Sequence, residues 1–448
     1  MNVDIIILAA GHGKRMQSDL PKVLHPLGGK PLLQHVIDTC LKIEKIKLHI
    51  VVGNQKKLIQ SFVKAPNSVN WVIQKNQLGT GHAAKQALSS LRSNSSVVVL
   101  YGDGPLVKLN TLKKLIASIR KDNLSLLTFE PPNPKGLGRI IRQSGKKVIG
   151  IVEEKDASIS EKKISEVNSG ILATSSKNLK LWLSRLKNNN AAKEYYLTDV
   201  VAYCHEEGKQ IKAINLGNSS ELLGANDGKE LHTLERTYQK ELAQDFLKKG
   251  VKFADLSRVD FRGEVSIGKN VFIDINVILE GNVFIGNDCI ISAGTVIKNS
   301  RLGKRIKVEP YSVIENSKIG DGSSIGPFAH VGPDAELEKD VEVGNFVEIK
   351  RSKVGQKTKA KHLAYIGDGN LEKQVNVGAG TIFVNYDGKY KHKTKVGSNA
   401  FIGSNSSLIA PLVVGKNSMI GAGSVITKNI SENKLALSRS KQRNINKK

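Results

Sequence analysis

A short glycine-containing segment near the start of the chain has the composition of an anion-binding loop. Residues 8–16 have the sequence LAAGHGKRM and follow an aliphatic run that suits a buried strand. Glycines after a strand let backbone N–H groups approach an anion, and Arg15 and Lys22 add positive charge suited to phosphate. A dinucleotide-binding loop would need glycine where Met16 stands. The segment therefore predicts a phosphate-binding loop; the alternatives are an ordinary strand-to-helix turn and, for Lys22, a solvated surface lysine.

Two later segments could complete a nucleotide site. Gln74 precedes the sequence LGTGH at residues 78–82, whose glycines allow a loop to lie flat against a base. Asp103 ends the apolar run that leads to Tyr101 and Gly102, and ligands bind at the carboxyl ends of strands in open α/β sheets. Asp103 is therefore a candidate ligand of Mg²⁺, which takes one or two protein oxygens in phosphate sites. An aspartate after a glycine is equally a common turn residue.

A second kind of chemistry depends on a histidine in the later half of the chain. His362 lies in the sequence KHLAY at residues 361–365. An imidazole can accept a proton near neutral pH, as the acylation of an amine requires. A single histidine in a repetitive region is more often a surface residue, so its position alone does not establish a base.

The elements that would position the first group of residues alternate between strand and helix. Apolar runs at residues 4–10, 48–52, 97–101 and 125–129 predict strands, and residues 32–43 and 111–120 predict helices. This alternation indicates βαβ units and a mostly parallel sheet up to about residue 226. Residues 227–250 carry apolar residues at helical spacing, and Asp227 and Gly250 suit the two ends of a connecting helix.

A six-residue period begins at about residue 251. Aliphatic residues followed by small or polar ones recur from Ile267-Gly268 through Ile325-Gly326 to Ile420-Gly421. Such repeats predict a parallel β-helix, in which one aliphatic side chain per corner points inward and stacks on the coil below. Flat faces of this kind often pack around a symmetry axis, so an oligomer with sites between subunits is expected.

Composition limits the classes of function and location. The net charge is +27, which is compatible with a nucleic-acid-binding protein, but the lysines are scattered and aromatic residues are only 5%. Compositional drift is therefore preferred, and no nucleic-acid partner is expected. Three widely spaced cysteines indicate a reduced compartment. With no signal core and no long apolar run, we expect a cytoplasmic protein without a membrane span.

The order of motifs resembles a known family. The sequences LAAGHGKRM, PKVLH, QLGTGHA, YGD, GRI, IVEEKDA, NSGI and EYYLTD follow one another as in sugar-1-phosphate nucleotidyltransferases. With its hexapeptide half, nearly the whole chain resembles the bifunctional bacterial N-acetylglucosamine-1-phosphate uridylyltransferases / glucosamine-1-phosphate N-acetyltransferases. The resemblance implies a Rossmann-like uridylyltransferase domain at 1–226, a linker helix at 227–250, and at 251–448 a left-handed β-helix acetyltransferase domain with a basic tail. It also implies a homotrimer that makes UDP-N-acetylglucosamine for peptidoglycan and, in many bacteria, lipopolysaccharide.

The resemblance also assigns residues to ligands. Arg15 and Lys22 would hold the phosphates of UTP, and Asp103 and Asn226 would hold Mg²⁺. The remaining contacts to UTP or UDP-N-acetylglucosamine would come from Leu8, Ala9, Ala10, Gly11, Gln74, Gly79, Thr80, Tyr101, Gly102, Gly138, Glu153 and Asn168. In the second domain His362 would be the base. Glucosamine-1-phosphate would bind Lys350, Tyr365, Asn376 and Lys391, and acetyl-CoA would bind Ala379, Asn385, Tyr386, Ser404, Ala422 and Arg439.

One departure affects the second domain. The family usually has the sequence FARxRPG where this chain has FAHVGPD at residues 328–334, so Gly332 replaces an arginine that binds substrate phosphate. Losing a charge-assisted hydrogen bond costs about 1.5–3 kcal/mol, or about 10- to 100-fold in affinity. Lys350 remains, and a nearby lysine or His330 could compensate. The alternative function is therefore uridylyl transfer alone, with a weakened or purely structural β-helix.

Overall fold

The computed structural model describes residues 2–11, 13–120, 123–144 and 146–447, and only the backbone of Lys14. His12, within the predicted phosphate loop, lies outside the described residues. The chain forms two compact units, Met1–Tyr238 and Gln239–Lys448.

The first unit alternates strands with helices. Its strands are β1 (Val3–Ala9), β2 (Pro26–Leu27), β3 (Lys30–Pro31), β4 (Ile46–Val52), β5 (Asn70–Ile73), β6 (Ser96–Tyr101), β7 (Asn123–Phe129), β8 (Arg139–Gln143), β9 (Lys147–Val152), β10 (Val167–Ser175) and β11 (Gln210–Asn215). Its α-helices are α1 (Leu32–Cys40), α2 (Lys56–Phe62), α3 (Thr80–Gln86), α4 (Leu109–Ala117), α5 (Ser176–Ser184), α6 (Asp199–Glu206) and the first part of α7 (Gly228–Lys248). Short 3-10 helices lie at Lys14–Met16, Lys22–Leu24, Leu88–Ser90, Glu161–Lys163 and Ser220–Leu222.

One mixed sheet forms the centre of the first unit. Its strand order is β11-β7-β10-β6-β1-β4-β5, with β8 on β10 and β9 on β8. Strands β6, β1, β4 and β5 are parallel, as the alternating pattern predicts. The side chains of β1 and β6 and most of those of β4 are buried, whereas those of β5, at the end of the strand order, are half-buried or exposed. β10 runs antiparallel between β6 and β7. The sequence pattern did not predict this reversal, because the apolar content of a strand does not report its direction.

The predicted strands match the structure within a few residues, but two helices end earlier than predicted. α1 ends at Cys40 rather than near residue 43, since the amide of Ile43 bonds to the carbonyl of Cys40 and tightens the chain into a turn. α4 ends at Ala117, where the amide of Ser118 is shared between two carbonyls. Apolar residues continue past both ends, so the periodic pattern overestimates helix length.

Helix α7 is anchored by contacts within each unit. In the first unit, Gly28 has φ +53° and a Cβ there would overlap the ring of Tyr238. The amide of Gly28 also donates to Glu235 Oε2 at 2.8 Å. In the second unit, Gln239 makes two hydrogen bonds of 2.8 Å to the backbone of Phe261. These side-chain bonds to backbone groups fix the helix at the end of one unit and at the start of the next.

The second unit is built from short parallel strands. They are β12 (Lys252–Phe253), β13 (Val259–Ile267), β14 (Phe272–Ile273), β15 (Val277–Ile285), β16 (Ile290–Ile291), β17 (Val296–Lys298), β18 (Arg301–Leu302), β19 (Lys307–Val308), β20 (Val313–Glu315), β21 (Lys318–Ile319), β22 (Ser324–Ile325), β23 (His330–Val331), β24 (Glu336–Leu337), β25 (Glu342–Asn345), β26 (Glu348–Lys350), β27 (Lys353–Val354), β28 (Lys359–His362), β29 (Tyr365–Gly367), β30 (Gly369–Leu371), β31 (Asn376–Val377), β32 (Ile382–Val384), β33 (Thr394–Val396), β34 (Phe401–Ile402), β35 (Ser407–Ile409), β36 (Leu412–Val414), β37 (Met419–Ile420), β38 (Val425–Ile426) and β39 (Leu435–Ala436).

These strands stack as the coils of a parallel β-helix. Each strand pairs in parallel with the strand one coil later, and one column of inward side chains includes Ile291, Val308 and Ile325, all fully buried. The six-residue frame is therefore confirmed as the inward-facing set. The coil that follows Ile382 is longer than the others because residues 385–392 form an inserted loop.

Two global expectations concern membranes and cysteines. Among the described residues, none of the helices combines the length and hydrophobicity that a bilayer crossing demands. Cys40, Cys204 and Cys289 are buried free thiols, and burial raises the pKa of Cys40 to about 12. A thiol protonated at neutral pH is a poor nucleophile, so these cysteines are packing residues.

Candidate active sites

The carboxyl ends of the parallel strands form one edge of the first sheet. The amide of Gly102 donates to the carbonyl of Leu8 at 2.9 Å, and the amide of Gln74 donates to the carbonyl of Val52 at 2.8 Å. These bonds extend the sheet beyond its strands and align the segments that follow β6 and β5 with the ends of β1 and β4. This edge is where open α/β sheets bind ligands. The predicted nucleotide residues along it are Leu8, Ala9, Ala10, Gly11, Gln74, Tyr101, Gly102 and Asp103.

Three predicted site residues meet at this edge. Lys22 Nζ donates to Asn226 Oδ1 at 2.7 Å and forms an ion pair with Asp103 Oδ2. The side chains of Lys22 and Asp103 are only 14% and 19% exposed, so water screens these charges less than at an open surface. The structure thus brings the proposed phosphate-binding lysine together with both proposed metal ligands.

The oxygens around Lys22 suit Mg²⁺. A carboxylate and an amide oxygen already converge on one cationic nitrogen, and Mg²⁺ in phosphate sites needs only one or two protein oxygens. Within the part of the chain that the structure describes, no cluster of three or more His, Cys, Asp or Glu is arranged as a metal site. Asp103 and Asn226 are therefore the residues that could hold the ion. Arg15 is exposed on the 3-10 helix Lys14–Met16, and no ion pair joins its side chain to the described residues of this group.

Local backbone geometry brings Lys22 and Asn226 to the site. Gly13 has φ +62°, and a Cβ there would lie 2.7 Å from the Cβ of Lys22. Asp227 Oδ1 accepts from the amide of Glu230 at 2.9 Å, and the Glu230 carboxylate accepts from the amide of Asn226 at 2.7 Å. This reciprocal capping starts α7 and holds the backbone of Asn226 in place.

A later part of the chain holds the loop that carries Gly79 and Thr80. Gly79 has φ +107°, and a Cβ there would lie 2.6 Å from the carbonyl oxygen of Tyr195. Thr80 Oγ1 accepts from the amide of Leu197 at 3.0 Å, and Gln74 Nε2 donates to the carbonyl of Gly79 at 3.2 Å. The three predicted base-binding residues therefore belong to one hydrogen-bonded unit.

The residues expected to contact the sugar also lie together. The amide of Asn168 donates to the carbonyl of Gly138 at 2.8 Å, and a Cβ on Gly138 would lie 3.4 Å from Glu153 Oε2. Thr198 Oγ1 donates to Glu153 Oε1 at 3.0 Å. A pocket beside them is lined by Tyr101, Leu126, Ile151, Asn168, Gly170, Leu172, Leu197, Thr198 and Val201.

The wall of this pocket depends on a glycine. Gly170 has φ +77°, and a Cβ there would overlap the ring of Tyr101. Burial raises the pKa of the Tyr101 hydroxyl, so this group stays protonated and can donate a hydrogen bond. The aromatic face and the buried hydroxyl suit one side of a sugar ring.

His362 of the β-helix is oriented by a residue one coil earlier. Its Nδ1 lies 2.7 Å from Asn345 Oδ1, and the two residues are paired in register between β25 and β28. The imidazole is exposed, which leaves Nε2 accessible to a substrate. A neutral ring that donates from Nδ1 has a free lone pair on Nε2, as a base requires.

The proposed glucosamine-phosphate and acetyl-CoA residues share a charged network. Asp368 forms two hydrogen bonds of 2.9 Å with Arg351 and accepts another from the buried Asn385. The Arg351 guanidinium also bonds to Tyr365. The hydrogen bond between Asp368 and Arg351 lowers the pKa of Asp368, and burial raises it by less. The pKa of Asp368 is therefore below the usual value of an aspartate. Asp368 therefore stays charged and ties Tyr365 to the loop that begins at Asn385.

Lys350 and Asn376 have separate surroundings. Lys350 Nζ donates to Glu348 Oε1 at 2.8 Å, and this hydrogen bond raises the pKa of the lysine. Asn376 pairs with Lys359 in the strand below, and within the described residues no side-chain hydrogen bond joins it to His362 or Lys350.

The other proposed acetyl-CoA residues form a vertical row. The amide of Asn405 donates to the carbonyl of Ala379, and the amide of Gly423 donates to the carbonyl of Ser404. Arg439 Nη1 donates to the carbonyl of Ala422 at 2.9 Å. The row is therefore Ala379, Ser404, Ala422 and Arg439, on successive levels of the β-helix.

The inserted loop is a hairpin built around Asp387. Tyr386 and Lys391 pair across it. Hydrogen bonds from the amide of Tyr390 and from the His392 ring lower the pKa of Asp387 to about 2. The exposed ring of Tyr386 and the lysine opposite it are thereby held out from the coil in a defined turn.

A curated relative matches the chain along its whole length. The chain is 46% identical over 443 residues to the "Bifunctional protein GlmU" of Cellvibrio japonicus (strain Ueda107), which covers 99% of this chain and 98% of that protein. This chain belongs to the GlmU family. It is accordingly a bifunctional enzyme, with a nucleotidyltransferase half and a hexapeptide acyltransferase half.

The two halves of this GlmU-family chain match separate domain models. Residues 5–137 match the MobA-like NTP transferase domain, 261–363 the GMPPB C-terminal domain, and 393–428 the bacterial transferase hexapeptide with six repeats. A crystal structure of a putative glucose-1-phosphate thymidylyltransferase from Bacillus anthracis, in complex with a sucrose, covers 52% of this chain and 94% of that chain at 19% identity, with a TM-score of 0.42. The domain models and the sheet topology confirm the predicted fold class, a Rossmann-like nucleotidyltransferase domain and a left-handed hexapeptide β-helix.

The glycine that departs from the GlmU-family pattern has a backbone reason as well as a charge effect. Gly332 has φ +125°, and a Cβ there would overlap the carbonyl oxygen of Glu315. His330, a candidate compensating group, is already paired with Glu315 at 3.2 Å, and the remaining Lys350 is paired with Glu348 at 2.8 Å. Substrate phosphate would therefore compete with these carboxylates.

Replacing Gly332 by arginine should not recreate a family-like phosphate site. The strained φ and the overlap should lower stability by at least about 2 kcal/mol, and acetyl transfer should not rise. Calorimetric Tm and the KM for glucosamine-1-phosphate measure both effects. Gly423→Ala is the matched control, since Gly423 has φ +72° and nothing within 4 Å of an added Cβ. An unchanged Tm with a lower KM in the arginine variant would contradict the backbone argument.

Sequence reasoning missed several residues that hold this GlmU-family site together. Gln77 donates to the carbonyl of Ala10 at 2.6 Å, and Thr198 bonds to Glu153. Asn345 and Asp368 hold groups in the β-helix. Thr198 lies within the quoted EYYLTD motif, which could have drawn attention to it. The others have partners in distant segments, and no local pattern marks them.

Proposed function

We propose that this chain makes UDP-N-acetylglucosamine in two steps. The β-helix acetylates glucosamine-1-phosphate with acetyl-CoA, and the first domain then transfers UMP from UTP to N-acetylglucosamine-1-phosphate with release of pyrophosphate. The observation that carries the proposal is the convergence of Lys22, Asp103 and Asn226 at the ligand edge of the sheet. In the second half, support comes from the exposed His362 ring held by Asn345.

In uridylyl transfer, a phosphate oxygen of the sugar phosphate attacks the α-phosphorus of UTP. A bond forms between them as the bond to the bridging oxygen breaks, and pyrophosphate leaves with that oxygen. Lys22 and Arg15 hold the phosphates. Asp103 and Asn226 would hold Mg²⁺, and the bound ion would supply positive charge to neutralise the phosphates. The protein contributes mainly positioning and electrostatic stabilisation, as is general for phosphoryl transfer.

In acetyl transfer, His362 acts as a general base. Nε2 accepts a proton from the amino group of glucosamine-1-phosphate as its nitrogen attacks the thioester carbonyl. The tetrahedral intermediate then expels the thiolate of CoA, which takes up a proton. Lys350, Tyr365, Asn376 and Lys391 hold the sugar phosphate, and Ala379, Asn385, Tyr386, Ser404, Ala422 and Arg439 line the acetyl-CoA site. This order gives the first domain an acetylated substrate.

The organisation that goes with this function has three parts. Residues 1–226 form the uridylyltransferase domain, 227–250 the linker helix and 251–448 the acetyltransferase domain. The flat faces of the hexapeptide coils support a homotrimer, and the use of UTP and acetyl-CoA supports a cytoplasmic location. Sedimentation velocity measures the assembly directly.

Uridylyl transfer alone is the second candidate function, and Gly332 is the observation that favours it. A phosphate ligand is absent there, and the side chains of His330 and Lys350 are engaged with carboxylates. Substrate omission separates the two functions. The bifunctional enzyme converts glucosamine-1-phosphate only when acetyl-CoA is supplied, whereas a uridylyltransferase alone needs N-acetylglucosamine-1-phosphate whatever else is present.

Sugar binding in the first domain should depend on pH through Glu153. Burial and the charges of Asp156 and Glu194 raise the pKa of this carboxyl, whereas the hydrogen bond from Thr198 lowers it. Burial is the largest effect, so the pKa is raised overall. The charged form exists above this raised pKa and is lost as pH falls through it. As the pH is lowered, the KM for N-acetylglucosamine-1-phosphate should therefore begin to rise at a higher pH than it would if Glu153 had the pKa of an ordinary carboxyl.

The comparison of wild type with Thr198→Val isolates this effect, because ionisation of the substrate phosphates is the same for both. Without the hydroxyl donor, the pKa of Glu153 should increase and the rise in KM should move to higher pH. Glu153→Gln should lose this part of the pH dependence. Superimposable KM profiles for wild type and Thr198→Val would show that Glu153 does not control sugar binding.

A further inference from the structure

Asn345 contacts the proposed acetyltransferase base at two points. Its Oδ1 lies 2.7 Å from His362 Nδ1, and its carbonyl oxygen accepts from the amide of Leu363 at 3.0 Å. Leu363 has φ +50°, a backbone conformation that bulky residues rarely adopt. Asn345 thus holds both the imidazole ring and the strained turn that follows it.

The contact on Nδ1 determines where the imidazole carries its proton. An amide oxygen has no hydrogen to donate, so Nδ1 must be the donor. In the neutral ring Nε2 then carries the lone pair, and Nε2 is the nitrogen that remains free. A partner on one ring nitrogen commonly fixes the tautomer and orientation of a functional histidine.

The charged groups on the strands β25 and β28 have ion-pair partners of their own. Lys359 and Lys361, on the strand of His362, both form ion pairs with Glu342 on β25. On the other side, β31 presents the neutral Asn376. The group in contact with the ring is the uncharged amide of Asn345. A carboxylate in the same place would favour the imidazolium form.

We propose that Asn345 is a positioning residue for acetyl transfer, which keeps His362 in the Nδ1–H tautomer with Nε2 directed to the substrate amine. The proposal rests on the proposed role of His362 as base. Asn345 itself need not touch substrate. Its amide oxygen adds no negative charge beside the ring, and its contact with Nδ1 leaves Nε2 free of that partner.

Asn345→Leu and Asn345→Asp test the proposal through the pH profile of kcat/KM for acetyl transfer. Leucine removes the acceptor at similar size, and kcat should fall about 10- to 100-fold, with the KM for acetyl-CoA changed less than about 2-fold. Aspartate keeps an acceptor, so it should restore most of the rate. Its negative charge should also move the acidic limb of the profile to higher pH.

Two controls separate the possible results. Uridylyl transfer and Tm should be unchanged in both variants if only the ring position is affected. The nitrogen chemical shifts of isotopically labelled histidine, with the His362 signals assigned from their absence in His362→Ala, should show Nδ1 protonated in wild type and a mixture of tautomers in Asn345→Leu. This readout does not depend on activity.

The outcomes distinguish this proposal from the assignment of the base. Full acetyl transfer by His362→Ala would overturn the role of His362 and the positioning role with it. Loss of acetyl transfer in His362→Ala, with wild-type rates, pH profiles and tautomers in both Asn345 variants, would overturn only the positioning role. An aspartate variant as inactive as the leucine variant, with Tm unchanged, would also contradict it, because an acceptor alone should be sufficient.

Discussion

Asp103→Ala should lower uridylyl transfer at least about 100-fold, since removing one element of a preorganised electrostatic site typically costs that much in kcat. The substitution removes the only carboxylate of the proposed Mg²⁺ pair and leaves the Lys22 ammonium without its ion-pair partner. Acetyl transfer, which uses the other unit, should be unchanged. The measurement is pyrophosphate release from UTP and N-acetylglucosamine-1-phosphate at saturating Mg²⁺.

Glu44→Gln is the matched control for Asp103→Ala, because it also removes one negative charge, from an exposed side chain in the same unit. Its uridylyl transfer should match wild type. A loss of less than about 10-fold in Asp103→Ala would be far below the expected range. Such a result would show that this carboxylate does not hold the ion.

His362→Ala should lower acetyl transfer by about 100- to 10,000-fold, the usual contribution of a general base. The His362 side chain is exposed and its Nδ1 is already engaged by Asn345, so alanine removes the proposed proton acceptor and little packing. Uridylyl transfer should be unaffected. Release of free CoA thiol from acetyl-CoA with glucosamine-1-phosphate measures the effect.

His232→Ala serves as the control for loss of an exposed imidazole, and it should retain both activities. The pH profile adds a second criterion. The pH profile of kcat/KM for acetyl transfer should differ between wild type and His362→Ala, because the variant lacks the proposed proton acceptor. An alanine variant with the wild-type rate and profile would assign the base to another group.

The six-residue period predicted the β-helix well because each inward corner is a local feature of the sequence. Residues such as Ile291, Val308 and Ile325 must be aliphatic wherever a coil stacks on its neighbour, and all three are buried. Strands β1 and β6 were similarly visible as uninterrupted apolar runs that end at the site. The direction of β10 was not predictable, since the same apolar residues suit either orientation.

Contacts within the site were less accessible to sequence reasoning. Asn345 contacts His362 because the two residues occupy the same corner on successive coils. Their distance in space depends on the register of the whole stack. Thr198 and Glu153 come from different elements and meet only in the folded sheet. Gly332 shows the opposite case, where the sequence reveals a lost charge but the backbone angle that excludes a side chain is a property of the fold.

The most direct test of the two-step function is one reaction that contains the chain, glucosamine-1-phosphate, acetyl-CoA, UTP and Mg²⁺. We expect UDP-N-acetylglucosamine with equal amounts of CoA and pyrophosphate. Asp103→Ala and His362→Ala should each fail alone, and a mixture of the two should restore product, because each supplies the step that the other lacks. Product formed only from added N-acetylglucosamine-1-phosphate, without CoA release, would contradict the bifunctional account and leave uridylyl transfer as the sole activity.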